Sequence, residues 1–162
     1  MPYETHIVDG GKGVHKIGLG IVTSVEILTS SLQRSIDVEK SGKHTAKYAL
    51  LDFTRTTEFQ VSRDTVMRIL ELDRKIARYS DEFFVAAVAP DSLIYGFARS
   101  WSSLSKDLGW ESQVFRDRAS AVEWLRTKLG HGNPDDCSLD EYPSLKPGEG
   151  PSGPEIVQPQ VD

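Results

Sequence analysis

Apolar and polar positions alternate in blocks along the first 130 residues, and the spacing within each block switches between strand and helix periods. Residues 4 to 8 and about 14 to 22 read as two strands joined by the turn Asp9-Gly10-Gly11-Lys12-Gly13. Thr23-Ser24-Val25-Glu26 has the spacing of a capping box, and Val25, Leu28, Leu32 and Ile36 follow at helical intervals, so a first helix is predicted to run to about Glu39. Tyr48 to Phe53 is a near-continuous apolar run, which suits a strand covered on both faces. A second helix opens at Ser62 or Arg63 with Val66, Ile69, Leu70, Ile76 and Ala77 on one stripe, and Phe83 to Ala89 is another buried strand, stopped by Pro90. Asp91 caps a third helix, Gln113 to Phe115 is a short last strand, and Asp117 caps a fourth helix that ends at Leu129 before Gly130. Two strands followed by repeated helix–strand units predict one α/β domain, a mixed and mostly parallel sheet of about five strands covered by four helices.

The third helix carries the stretch Leu93-Ile94-Tyr95-Gly96-Phe97-Ala98-Arg99-Ser100-Trp101. Ile94, Phe97, Ala98, Trp101, Leu104 and Leu108 form a core stripe, and Tyr95 and Arg99 are neighbours on another face. Gly96 costs about 1 kcal/mol relative to alanine inside a helix, so a close approach of another backbone or of a ligand is expected there. The helix starts at the carboxyl end of a strand, where open sheets hold ligands. Its first-turn amides and Arg99 could hold an anionic or polar head group, with Tyr95 beside it. The alternative is an arginine that pairs a surface carboxylate over a tyrosine ring. Asp73 sits seven residues after Val66, in the centre of the second helix's apolar stripe. A carboxylate there must be paired or hydrogen-bonded, and it either orients a partner in a pocket or binds an amide or arginine at the end of the packed face. Tyr95, Gly96, Arg99 and Asp73 are the candidate ligand-binding residues.

Composition divides the chain at about residue 130. Six of the eight prolines lie beyond it, with seven acids against the single Lys146, while residues 1 to 130 are close to neutral. The expectation is a domain over 1–130 and a disordered acidic Pro/Gly-rich tail over 131–162, within which Leu139, Tyr142 and Leu145 could form a docking segment. The near-neutral domain offers no basic face for nucleic acid. The one cysteine, Cys137, and the scattered His6, His15, His44 and His131 show no metal-ligand spacing, and no long apolar run predicts membrane insertion. A cytoplasmic protein is expected.

"YALLDF" (48 to 53), "VAAVAPDSLIYGFARSW" (85 to 101) and "VFRDRASAVEWL" (114 to 125) give the sequence its family likeness. At these residues it resembles the STAS superfamily, in particular the SpoIIAA-like bacterial proteins grouped with the CRAL-TRIO lipid-binding fold. The resemblance covers about residues 4 to 129. It implies a small, often dimeric α/β domain without catalysis, whose relatives act as anti-sigma factor antagonists, as modules of anion transporters or as carriers of hydrophobic ligands. In the antagonist branch a phosphorylatable serine follows the strand that matches "YALLDF". Here Val61 takes that place within Phe59-Gln60-Val61-Ser62-Arg63 and no glycine follows, so the phospho-serine switch is not expected.

No paired carboxylates, nucleophile–histidine constellation or phosphate loop is present, since Gly10-Gly11-Lys12-Gly13 lies between strands and lacks the Lys-Ser/Thr ending. The expectation is a non-enzymatic binding or regulatory module without a cofactor, which holds an apolar, lipid-like or anionic amphiphilic small molecule. The alternative is a protein-interaction regulator of the anti-sigma antagonist type, with a protein partner or a second copy as its target.

Overall fold

The computed structural model describes residues 2–80 and 82–130. Strand β1 (Tyr3–Val8) runs through a 3₁₀ turn into β2 (Gly13–Thr23). Then follow α1 (Ser24–Ser41), β3 (Tyr48–Gln60), α2 (Arg63–Ala77), β4 (Phe84–Val88), α3 (Ser92–Leu104), β5 (Glu111–Phe115) and α4 (Arg118–Lys128). The sheet order is β1-β2-β3-β4-β5, with β1 antiparallel to β2 and every other pair parallel. The expected mixed, mostly parallel five-stranded sheet with four helices is the observed one. The acidic segment 131–162 lies outside the described residues.

Local chemistry sets the helix starts. Thr23 closes a capping box on α1 through Glu26, and Gly42 ends that helix in the left-handed region at φ 74°. The Asp91 carboxylate accepts from the amides of Leu93 and Ile94, and the Asp117 carboxylate accepts from the amide of Ser120. Strand β3 is longer than its apolar run, because Phe59 near its end packs edge-on against Phe53 and against Phe97 of α3.

The two faces of the sheet are covered unequally. Helices α1, α2 and α3 lie over the face that carries Val14, Ala49 and Val85, with Ile27, Ile69, Leu70 and Trp101 in the same cluster. The opposite face packs Tyr48, Leu50, Phe84, Ala86 and Val88 against Ala121, Val122 and Leu125 of α4 alone.

Helix α1 corrects the sequence reading of its core stripe. Val25 is 72 % and Leu32 48 % exposed, whereas Ile27, Ser31, Ser35 and Val38 are buried. The helix is rotated because polar contacts draw its serine face inward: Ser30 Oγ accepts from Lys16 Nζ at 2.9 Å and lies 3.3 Å from Thr5 Oγ1. A helical wheel ranks hydrophobicity and does not register such contacts. Phe97 and Trp124 are also only half-buried, and Leu104, expected in the α3 stripe, is exposed.

Leu125→Ala is expected to lower stability by about 2–5 kcal/mol, the usual cost of an unfilled core site, while Val25→Ser and Leu32→Ser should each stay within about 0.5 kcal/mol. Urea midpoints of the three variants check the observed phase of α1.

Candidate functional site

The three-helix face encloses a cavity of about 110 Å³. Its floor is the inward row Val14, Lys16, Ala49, Leu51, Phe53, Val85 and Ala87 of β2, β3 and β4, and its roof comes from Ile27, Ile69, Ile76 and Trp101 of the helices. Residues of that floor alternate along each strand, so a lysine at position 16 has only this face to point to.

Lys16, Arg34, His44 and Asp73 line this largely apolar space together with the Tyr3 phenol, whose ionisation burial opposes. Asp73 is 8 % exposed, and its Oδ2 accepts from Trp101 Nε1 at 2.8 Å. Burial pushes its carboxyl up to about 6, against the opposing pull of the Trp101 hydrogen bond and of the Lys16 charge. Burial brings the Lys16 ammonium down to about 8, with Asp73 favouring and Arg34 opposing its charge. The Lys16 ammonium also lies 5.9 Å from the centre of the Tyr3 ring. His44 is brought down to about 4, first by burial and then by Arg34 and Lys47. Its Nδ1 lies 2.5 Å from Ser80 Oγ, and its ring packs edge-on against Phe83. Near neutral pH the lining therefore carries two cations, Lys16 and Arg34, and one carboxylate, Asp73, beside a neutral imidazole. Trp110 also lines the cavity, and its buried Nε1 has no hydrogen-bond partner among the described residues.

The four residues singled out from sequence do not form one site. Asp73 belongs to the cavity, where Trp101 and not Arg99 is its partner. Tyr95 and Arg99 are neighbours as the helical spacing requires, with the guanidinium 5.9 Å from the ring centre, and Arg116 from beyond β5 covers the same ring at 3.8 Å. Arg116 is fixed there by its Nη1 donating to the Pro90 carbonyl at 3.1 Å. Of the surface alternative only the ring contact is present, made chiefly by Arg116, and among the described residues no carboxylate pairs with Arg99. The Leu93 and Ile94 amides, expected to face an anion, are taken by Asp91. A Cβ added at Gly96 would meet nothing within 4 Å, so no described backbone makes the expected close approach. Gly96 instead lies in a surface groove of about 360 Å³ between α2 and α3, with Val61, Arg63, Met67, Leu93 and Leu104.

Lys16, Arg34, His44 and Trp110 were not singled out from sequence. A signal for Lys16 was present, since Val14-His15-Lys16-Ile17 places it in register with Val14 on a covered face. Arg34 shares the serine face of α1, which the misplaced apolar stripe had turned to solvent. Among the described residues no cluster of His, Cys, Asp and Glu is arranged to hold a metal ion, and no helix is long and apolar enough to cross a membrane.

Comparison with known proteins gives a likeness of fold. The chain is similar to the unphosphorylated anti-sigma factor antagonist SpoIIAA, with 11 % identity, a TM-score of 0.46 and coverage of 76 % of this chain and 97 % of that one. It is also similar to an uncharacterized protein of the DUF3478 family with a SpoIIAA-like fold from Shewanella loihica PV-4, with 16 % identity, a TM-score of 0.43 and coverage of 76 % and 91 %. No family model and no curated protein matches the chain. Superpositions this loose say nothing of the cavity, whose chemistry is set by the side chains of this chain.

Two outcomes follow from the geometry. Because the folded-state pKa of Asp73 is raised from 3.8 to about 6, its protonated form is the one folding favours, and the associated stability is lost as pH rises between those values. His15 and His44, both lowered to about 4, have the opposite dependence between about 4 and 6.5, so the comparison of variants is what isolates Asp73. Relative to the parent, Asp73→Asn should gain up to about 3 kcal/mol between pH 4 and 6, at 1.36 kcal/mol per unit of pKa shift. Denaturation curves at both pH values measure it. Gly96→Ala should raise stability by about 0.5–1 kcal/mol, since open space surrounds the added methyl group; a lower melting temperature would mean that the backbone at Gly96 is approached after all.

Proposed function

We propose that the domain is a binding module that takes a small molecule with an apolar body and an anionic head into the cavity beneath α1, α2 and α3. The observation that carries this reading is the pair of cations, Lys16 and Arg34, on the lining of a largely apolar cavity whose one carboxylate is Asp73. Charges withdrawn from water require compensation: Asp73 favours the charge of Lys16 and Asp37 that of Arg34, and within the cavity lining two cations face the single carboxylate of Asp73. A carboxylate head supplies the second negative charge and an acceptor for donors such as the Trp110 indole. An empty apolar cavity of about 150 Å³ accommodates benzene, so the space beside these groups suits a short-chain or single-ring carboxylate.

A second reading, a protein-interaction regulator that works through the helix after Ser62, draws on the α2–α3 groove. Met67, Leu93 and Leu104 are exposed along it, and Gly96 adds no side chain to its wall.

Hexanoate and benzoate are expected to raise the melting temperature of the parent protein in a concentration-dependent way, and hexan-1-ol much less. Lys16→Met should remove the response to the acids while the protein stays folded. Ala87→Leu, which fills the cavity floor, should remove the response to all three. Equal shifts in the parent and in both variants would place binding outside the cavity and refute the reading.

A further inference from the structure

Strand β1 forms one edge of the sheet, and no strand among the described residues pairs with its outer side. Its register with β2 runs without a bulge from Tyr3 and Gly18 to Val8 and Gly13. Two devices that commonly guard such an edge are missing, since Tyr3 to Val8 contains neither proline nor lysine.

One bond fixes the backbone phase of β1. Leu19 N donates to the Pro2 carbonyl at 2.6 Å, so Pro2 turns its carbonyl to β2. Along an antiparallel strand this direction alternates, and the amides and carbonyls of Tyr3, Thr5 and Ile7 therefore point outward. Their side chains lie on the face that carries α1: Tyr3 lines the cavity, Thr5 Oγ1 meets Ser30 of α1, and Ile7 is in register with Val14 of the cavity floor. Ile7 is 56 % exposed. On the other face Glu4 Oε1 lies 3.0 Å from His6 Nε2, and both side chains reach solvent.

Two-fold symmetry makes the pairing of β1 with a second copy antiparallel and sets outward residues against outward residues. Centred on Thr5, it places Tyr3 against the partner's Ile7 and Glu4 against the partner's His6. The two Thr5 residues then exchange both backbone bonds. Glu4 and His6 fall in the non-hydrogen-bonded positions, where Cα atoms are about 4.5 Å apart and side chains are closest. Acid thus meets imidazole, and the exposed Ile7 gains the Tyr3 ring, a favourable pairing of an aromatic with a β-branched side chain. A centre at Glu4 would oppose two carboxylates, and a centre at His6 would oppose two imidazoles and leave each Glu4 against Val8. The opposite edge has no such match: β5 centred on Gln113 sets Glu111 against Phe115.

We propose that two copies of the chain join at their β1 edges about a dyad at Thr5, so that two five-stranded sheets become one continuous sheet. The match of Glu4 to His6 and of Tyr3 to Ile7 selects a second copy as the occupant and fixes the register. The pairing does not rest on the ligand reading of the cavity.

Light scattering on the full chain at about 100 μM, enough to populate even a micromolar complex, should give twice the mass of one chain. His6→Glu, which gathers only carboxylates at the dyad, and Ile7→Lys, which puts an ammonium on the edge, should each weaken association about tenfold or more. Glu4→Lys combined with His6→Glu restores opposite charges across the dyad and should return the affinity to within about threefold of the parent. That rescue separates loss of charge matching from loss of folding. Thr5→Cys combined with Cys137→Ser should link two chains on mild oxidation, since Cα atoms about 5.5 Å apart suit a disulfide; Met67→Cys combined with Cys137→Ser should not. A parent that stays monomeric at that concentration would overturn the proposal. So would a dimer that both single variants leave undiminished, that the paired charge exchange fails to rescue, or that Thr5→Cys fails to link.

Discussion

A parallel sheet must be covered on both faces, because its strands are apolar on both. This chain meets the requirement unevenly, with three helices on one side and one on the other. The crowded side does not close completely: α1 presents serines to the sheet where larger side chains would fill the space, and a cavity remains above β2, β3 and β4. The sparse side leaves β2 beyond the reach of α4's main contacts. The cavity arises from this imbalance, and it does not depend on an unusual backbone.

The cavity concentrates charge because its walls cannot solvate it. Lys16 and Asp73 are each moved from their ordinary pKa toward neutrality by the same desolvation, and each is partly restored by the other. Trp101 fixes the carboxylate from the side of α3, so one hydrogen bond links the position of that helix to the charge state of the cavity. Any guest that brings a negative group changes the surroundings of both residues at once.

Much of the fold was legible in the sequence. The capping residues Thr23, Asp91 and Asp117 mark helix starts through chemistry local to a few residues, and all three are found at N-caps. The strand runs at 48 and 84 are apolar enough to need no context. The phase of α1 was not legible, since it is decided by Lys16, Ser30 and Thr5, residues brought together only by tertiary structure. For the same reason Asp73 was legible as an acid on an apolar stripe while its partner was not: the indole of Trp101 reads along the chain as plain core, and the two meet only where α2 packs against α3. Gly96 looked like a sign of close approach, and the structure gives it open space instead.

The strand order has a consequence for how the molecule assembles. Each strand pairs with its nearest neighbours in the sequence, as Gly13 with Tyr48, Tyr48 with Phe84 and Phe84 with Glu111. Among the described residues no later strand is inserted between two earlier ones. The entropy of loop closure is then met one connection at a time, each of modest length. During synthesis the sheet can grow from its amino-terminal hairpin outward, every new strand finding an edge already in place, and β5 with α4 arrives last on a sheet whose other pairings are complete.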